Sequence, residues 1–393
     1  MTNAYKELKS DLHLELNNIL SYWTNNTIDE DFGGFLGKRD HYNKVVKNAS
    51  KGIILNARIL WSFSAASNHL KTEKHKAICD RAYHYLNDFF RDKVNKGVFW
   101  ELDYLGNPIN KRKQVYAQSF TIYALSEYYL FTKNEDAKKW AIEIFNLLEK
   151  DAKDTVNKGY FEAFQEDWSP IKDMRLSDKD MNASKTMNTH LHILEAYSSL
   201  LKIHDNQQLK ESLKTLIKLF LEKFLNSESH YDLFFDDKWN LLSSTISYGH
   251  DIETAWLLIE AAKLIDDEEI LNKTKQVALH VANTFLEEAI DKEGAVINEL
   301  NRTTNLKDTD RHWWPQMEAL IGLKYANELK NDEKYINASL KIWEFTKKNF
   351  IDTKNGEWFF RIDKNGKAYT NEDKVSMWKA PYHTSRACIL LNS

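Results

Sequence analysis

In the stretch SYGHDIETAW, residues 247–256, a histidine, two acids and a tryptophan follow a glycine within ten residues. His250 and Glu253 are three apart, so on a helix they are neighbours on one face. Glu253 can then orient the imidazole or bind a substrate hydroxyl. Histidine titrates near neutrality and is the side chain most often used to carry a proton in catalysis. A helix-surface histidine beside an incidental acid is the plainer reading of the pair taken alone. In THLH, His190 and His192 are two apart on a predicted helix and point to nearly opposite sides. Only one can face a pocket, and His192 is read as structural. His383, in WKAPYHTSR, opens the last predicted helix and by itself also reads as structural.

Tryptophan shifts that balance. Of twelve, Trp256, Trp313, Trp314 and Trp378 lie close to these histidines or to the helix starts. Aromatic faces stack on the apolar faces of sugar rings and hold them in a fixed geometry. Most of the twelve read as ordinary core, but the consecutive pair in RHWWPQ is hard to bury together, so at least one should line a cavity. HExxH is missing from the sequence, as are GxxxxGK[ST] and GxGxxG, and His250 with Glu253 supplies only two metal ligands. The expectation is chemistry by side chains alone, with no metal and no cofactor.

Composition narrows the setting. The chain is 42% hydrophobic and 28% charged with a net charge of −4, which suits a globular protein and gives no basic footprint for nucleic acid. Cys79 and Cys388 have neither metal spacing nor the density of a disulfide framework, which fits a reducing compartment. The N-terminal segment alternates charged and apolar residues, unlike a signal peptide, and no segment approaches a membrane span. A soluble cytoplasmic protein, monomer or homodimer, is expected.

The elements that position these residues come from a repeat. A turn-and-aromatic motif recurs as DEDFGGFLGKRD, DKVNKGVFWELDYLGNP, DTVNKGYFEAFQEDWSP, SHYDLFFDDKWN, DKEGAVINELN and DTKNGEWFFRIDKNG. Gly34, Gly97, Gly159, Gly294 and Gly356 mark steps of 63, 62, 135 and 62 residues, the double step spanning a copy with Tyr231 and Asp232 in place of glycine. Each motif reads as a short hairpin. Two segments with helical periodicity follow each one, the first apolar nearly all round and the second amphipathic. Six units therefore predict an inner ring of helices inside an outer ring. The helix near residues 3–24 has no partner and can close the outer ring. The sum is an all-α (α/α)6 barrel of twelve helices with short β-hairpins at one end, one domain over residues 1–393. Pro315 and Pro381 fall where inner helices begin, as the first helical turn tolerates. Arg58, Tyr116, the His190 region, His250, Trp313 with Trp314, and His383 occupy equivalent places near the inner-helix N-termini. They should converge at one mouth, where helix dipoles favour an oxyanion.

RLSDKDMNASKTMNTHLHILEAY, SYGHDIETAWLL, DRHWWPQMEAL and WKAPYHTSRAC, with DFGGFLG and the Arg58 helix, resemble the cellobiose 2-epimerases of the N-acylglucosamine 2-epimerase superfamily from about residue 14 onward. The resemblance implies an (α/α)6 barrel and interconversion of reducing-end glucose and mannose in β-1,4-linked disaccharides, cellobiose or lactose among them. It implies His250 and His383 as the two acid/base groups and His190 as a third histidine for ring opening and binding. By the same resemblance Arg58 and Glu253 bind substrate, and Trp256, Trp313, Trp314 and Trp378 form an aromatic wall. Tyr116, Asp178, Asn188 and Glu318 match positions in or near the pocket.

Three other readings compete. An aldose–ketose isomerase, or an N-acylglucosamine 2-epimerase, would use the same fold. A glycoside hydrolase would need two carboxylates, for which Asp310 and Glu318 are candidates. A sugar-binding protein would bind without proton exchange.

Overall fold

The computed structural model describes residues 3–393. In chain order the helices are α1 (Asn3–Asn26), α2 (Ile53–Leu70), α3 (Lys76–Tyr85), α4 (Val115–Thr132), α5 (Glu135–Leu147) and α6 (Met187–Leu201). They continue as α7 (Gln207–Leu219), α8 (Tyr248–Ala262), α9 (Glu268–Glu288), α10 (Trp313–Lys330), α11 (Glu333–Asn349) and α12 (Tyr382–Asn392). Even-numbered helices touch one another in order, and α12 returns to α2, so they close an inner ring. This is the (α/α)6 toroid the repeat predicts. No helix among the described residues is long and apolar enough to cross a membrane.

Burial follows the periodicity. Every residue of α2 from Ile53 to Ser67 is buried, as an inner helix enclosed on all sides requires. Outer α7 buries a single stripe, Leu209, Ser212, Leu213, Leu216 and Ile217. Helix α1 serves as the outer partner of α12, as its unpaired place in the repeat suggests. Three tryptophan N–H groups tie α1 to the last unit: Trp23 to Glu357 at 3.1 Å, Trp343 to Asp11 at 3.0 Å, and Trp358 to Glu15 at 2.6 Å.

The hairpins bind each unit to the next. The residues just before an inner helix pair antiparallel with the following hairpin: Lys51–Gly52 with Glu101–Leu102, Lys113–Gln114 with Ala163–Phe164, Lys185–Thr186 with Phe234–Phe235. Thr245–Ser247 and Arg311–His312 do the same, and a bridge from Arg39 to Val375 closes the circle. A repeated ion pair holds the hairpins down: Lys51–Asp29 at 2.6 Å, Lys113–Asp92 at 2.6 Å, Lys185–Asp154 at 2.7 Å, Arg311–Asp291 at 2.5 Å and Lys374–Asp352 at 2.9 Å. The fourth unit replaces both partners, with Asn226 at the turn and buried Ile246 before the helix. Losing both together avoids the several kcal/mol that one unpaired buried charge would cost.

Helix starts differ by ring. Outer helices α5, α7, α9 and α11 are capped by Asn134, Asn206, Asp267 and Asp332. Five of the six inner helices have no side-chain cap, so first-turn N–H groups remain at the hairpin end of the ring.

Candidate active site

The positions after each inner-helix N-cap fall into layers. Four residues along, Gln118, His190, Asp251 and Gln316 latch the hairpin of their own unit by accepting from the backbone N–H of Val98, Tyr160, Tyr231 and Val296 at 2.8–2.9 Å. A Cβ on Gly159, whose φ is +76°, would sit 2.7 Å from His190 Nε2, so the glycine serves the close approach as well as the turn. Six residues along stand Arg58, Phe120, His192, Glu253 and Glu318. These are contiguous around the axis: Arg58 lies over the Phe120 ring at 4.5 Å, and Phe120 meets His192 at 4.6 Å.

Above this second layer is a cavity of about 170 Å³ at the N-terminal mouth of the inner helices. Its chemistry-bearing lining is Arg58, Tyr116, Asn188, His192, His250, Glu253 and His383, with Trp313, Trp314, Phe360 and Trp378 as aromatic walls. Trp314 stands between two imidazoles, its ring 4.8 Å from His250 and 5.3 Å from His383. Gly249 makes room for it, since a Cβ there would fall 2.5 Å from the indole. Arg58 donates to Tyr116 Oη at 2.9 Å and leaves its own Nε without a partner. Asn188 Oδ1 and Trp313 Nε1 are likewise buried and unpartnered among the described residues. Three such atoms at one cavity mark a place for a polar ligand, because buried polar groups are normally satisfied.

Carboxylates orient two of the imidazoles from below. His192 Nδ1 bonds to Glu195 Oε2 at 3.0 Å, and His383 Nδ1 bonds to Glu318 Oε1 at 2.7 Å. An ionised carboxylate only accepts, so each Nδ1 donates to it. Against burial, Arg386 holds Glu195 at about 2, whereas burial raises Glu318 with Arg386 opposing. His250 differs, with Nδ1 2.8 Å from Ser247 Oγ. Burial, and then the neighbouring His192, lowers the His250 imidazole to about 3. Burial followed by Arg58 and Arg386 holds His383 well below its ordinary range. Both are neutral at neutral pH and able to accept a proton. Glu253 is raised to about 7 by burial and by Glu318, with Arg386 opposing. Its ligand atom lies within 4.8 Å of those of Glu318 and His383, but both carboxylates are engaged by the Arg386 guanidinium.

Several sequence expectations need correction. His190, expected to face the pocket, lies outside it, fully buried, with Nε2 on Tyr160 N and Nδ1 2.7 Å from Thr186 O. His192, read as structural, lines the cavity. Trp256 is not part of the aromatic wall: it lies beneath, donating to Glu318 at 3.1 Å with Arg386 over its ring at 4.9 Å. Glu318 supports His383 from below rather than lining the cavity. Glu253 does not orient His250; it contacts Arg386 instead. Asp178 is exposed on its loop, and its neighbours Lys179 and Asp180 do the lining. Asp310, a hydrolase candidate, pairs with Arg361 at 3.3 Å and accepts from Tyr369 at 3.2 Å, outside the cavity. Sequence reading missed Glu195, Phe360 and Arg386. Glu195 stands three residues after His192, the same spacing noted for His250 and Glu253.

A second cavity, about 320 Å³, adjoins the first and shares Asn188 and His250 with it. The first alone is smaller than the ~300–1,000 Å³ usual for small-molecule sites, and the second falls within that range. Its acids include Glu162, raised to about 8 by burial, and Glu299, raised to about 7 by burial and then by Asp308 and Asp180.

Fold and site define an (α/α)6 toroid that carries an imidazole cluster at the N-terminal mouth of its inner helices. The N-acylglucosamine 2-epimerase (GlcNAc 2-epimerase) family pattern matches residues 34–387. The chain is 41% identical to the cellobiose 2-epimerase of Bacteroides fragilis and 39% identical to that of Dictyoglomus turgidum, each over 98% of both chains. The solved structure of cellobiose 2-epimerase from Bacillus thermoamylovorans superposes with a TM-score of 0.93 at 35% identity, covering 98% of this chain and 99% of that one. The chain belongs to the N-acylglucosamine 2-epimerase family.

Proposed function

We propose that this protein inverts C2 of the reducing-end glucose in β-1,4-linked disaccharides, converting cellobiose to 4-O-β-glucosyl-mannose and lactose to epilactose. One observation carries the reading: two neutral imidazoles, His250 on α8 and His383 on α12, flank Trp314 in one cavity with Arg58. Full-length similarity to cellobiose 2-epimerases supports the choice of substrate. The inner cavity takes the reducing-end ring and the adjoining one the second sugar.

The C2 proton of a closed pyranose is not acidic. Once the ring opens, the aldehyde lets the charge left at C2 spread into an enediolate. One neutral histidine then takes the C2 proton from one face and becomes imidazolium. The enediolate anion favours the charged form of the second histidine, which picks up a proton from solvent, delivers it to C2 from the opposite face and ends neutral again. The first imidazolium returns its proton to solvent, which restores the starting pair. Arg58 faces the developing oxyanion as a fixed cation, a contribution typically of 10²–10³ in rate. Tyr116, held by Arg58, and Asn188 are placed for the sugar hydroxyls, while Trp313, Trp314 and Trp378 hold its apolar faces.

Product analysis tests this. Purified protein with cellobiose and EDTA should yield a mannose-type reducing end. A ketose product would make it an isomerase acting through the same enediolate, and free glucose would make it a hydrolase. Binding without turnover would leave only a sugar-binding protein.

A further inference from the structure

Arg386 does not line the cavity. It is 1% exposed, on α12 one turn past His383, and it reaches three other helices. Its guanidinium donates to Glu195 on α6, to Glu253 on α8, and to Glu318 on α10 at 2.6 Å. Tyr382 Oη adds a contact to the same Glu195 oxygen at 2.6 Å. Two of these carboxylates are the ones that orient imidazoles. A continuous chain of contacts therefore runs His192–Glu195–Arg386–Glu318–His383, joining α6 and α12, which stand opposite each other in the ring of six.

We infer that Arg386 is a positioning residue that couples His192 and His383, holding both supporting carboxylates as pure acceptors so that both rings present a free Nε2 to the substrate. The inference rests on reading His383 as a proton carrier. Its physical basis is the crowding of three carboxylates around one cation. The planar fork of arginine can serve several acceptors at fixed angles, which the point charge of a lysine cannot. Without the fork the carboxylates repel one another in a desolvated place, and one of them takes up a proton. A protonated Glu318 would donate to His383 Nδ1 rather than accept from it. The ring would then carry its proton on Nε2 and could no longer act as a base. Because Glu195 and Glu318 share the guanidinium, weakening one changes how firmly the other is held.

Imidazole ¹⁵N NMR of histidine-labelled full-length protein reads this directly. In the parent, His192 and His383 should both appear as Nδ1–H tautomers. Arg386→Lys should shift both sets of resonances and leave His250, whose Nδ1 contacts Ser247, unmoved. Glu195→Gln, on the far side of the guanidinium, should move His383 as well as His192. In turnover of cellobiose, Arg386→Lys should lower kcat by ~10² with KM little changed, the scale of a lost acid–base contribution. A folded Arg386→Lys with both histidines unshifted, or Glu195→Gln that alters His192 alone, would overturn the coupling. If Arg386→Lys does not fold, Glu195→Gln decides by itself. The spectra do not depend on the sugar chemistry, so shifts as expected in a protein inactive on cellobiose would keep the coupling and reject the epimerase reading.

Discussion

His190 and His192 are two residues apart on one helix and face opposite ways. His190 Nε2 accepts the Tyr160 N–H at 2.9 Å behind the ring, whereas His192 lines the cavity with Nδ1 3.0 Å from Glu195. Gln118 and Gln316 do the work of His190 in other units. His190→Gln is therefore expected to keep epimerase activity within a few-fold and to keep the fold. His192→Ala should lower kcat by ~10²–10⁴, the range for a lost general acid–base or binding imidazole. Steady-state kinetics of the two variants on cellobiose decide the matter; the reverse pattern would put the function on His190.

Trp256 and Trp314 offer the same contrast among the aromatics. Trp314→Ala removes a cavity wall between His250 and His383 and should raise KM for cellobiose with a modest loss of thermal stability. Trp256→Phe keeps the ring but leaves Glu318 Oε2 without its donor. The cost is ~1–3 kcal/mol for a buried unsatisfied acceptor, visible as a lower Tm with KM nearly unchanged.

The lowered imidazoles predict a pH profile. The neutral form is the base, and a depressed value moves its loss to lower pH. With His250 at about 3 and His383 well below its ordinary range, loss of the basic imidazole should not appear in the rate of C2 proton exchange between pH 8 and 6. A step centred near pH 7 should report Glu253, raised to about 7 in the same cavity, and vanish in Glu253→Gln. A half-maximal fall near 6.5 that persists in Glu253→Gln would mean that the histidine taking the proton is an ordinary, solvated one.

Glu162 predicts a stability effect of opposite sign. Buried in the outer cavity's wall, it accepts from Thr186 N at 2.6 Å and sits against Thr189 Oγ1 at 2.5 Å, with its carboxyl raised from 4.5 to about 8. The folded state thus binds a proton that the unfolded chain releases between those values. Its contribution is full below about 4.5 and is lost as pH rises through about 8. Glu162→Gln mimics the protonated form. It should match the parent in Tm at pH 5 and exceed it at pH 9, where the difference in stability reaches up to ~5 kcal/mol at ~1.4 kcal/mol for each pH unit between 4.5 and about 8. Equal melting curves at pH 9 would show that the carboxyl ionises there without penalty.

Much of this was legible in the sequence because the fold repeats. Equal spacing of Gly34, Gly97 and Gly159 reveals the units, and the unpaired N-terminal helix reveals how the ring closes. His250, His383, Arg58, Tyr116 and the Trp313–Trp314 pair were placed at one mouth by repeat register alone, and the cavity holds all of them. The register also contained the answer for THLH. Counting six from each N-cap aligns His192 with Arg58, Glu253 and Glu318, whereas counting four aligns His190 with Gln118 and Gln316. Arg386 was not legible, because its role comes from the convergence of four helices and not from any local spacing. Asp178 was displaced by two residues from the lining Asp180 because that loop has no periodicity to count.

The most direct measurement is ¹H NMR of cellobiose in D₂O with the parent protein, His250→Ala and His383→Ala. The parent should produce a mannose-type reducing end carrying deuterium at C2. Each alanine variant should abolish epimerisation, and at least one should also abolish C2 exchange from one of the two epimers. Full epimerase activity in either variant, or product formed by the parent without deuterium at C2, would contradict the two-histidine account.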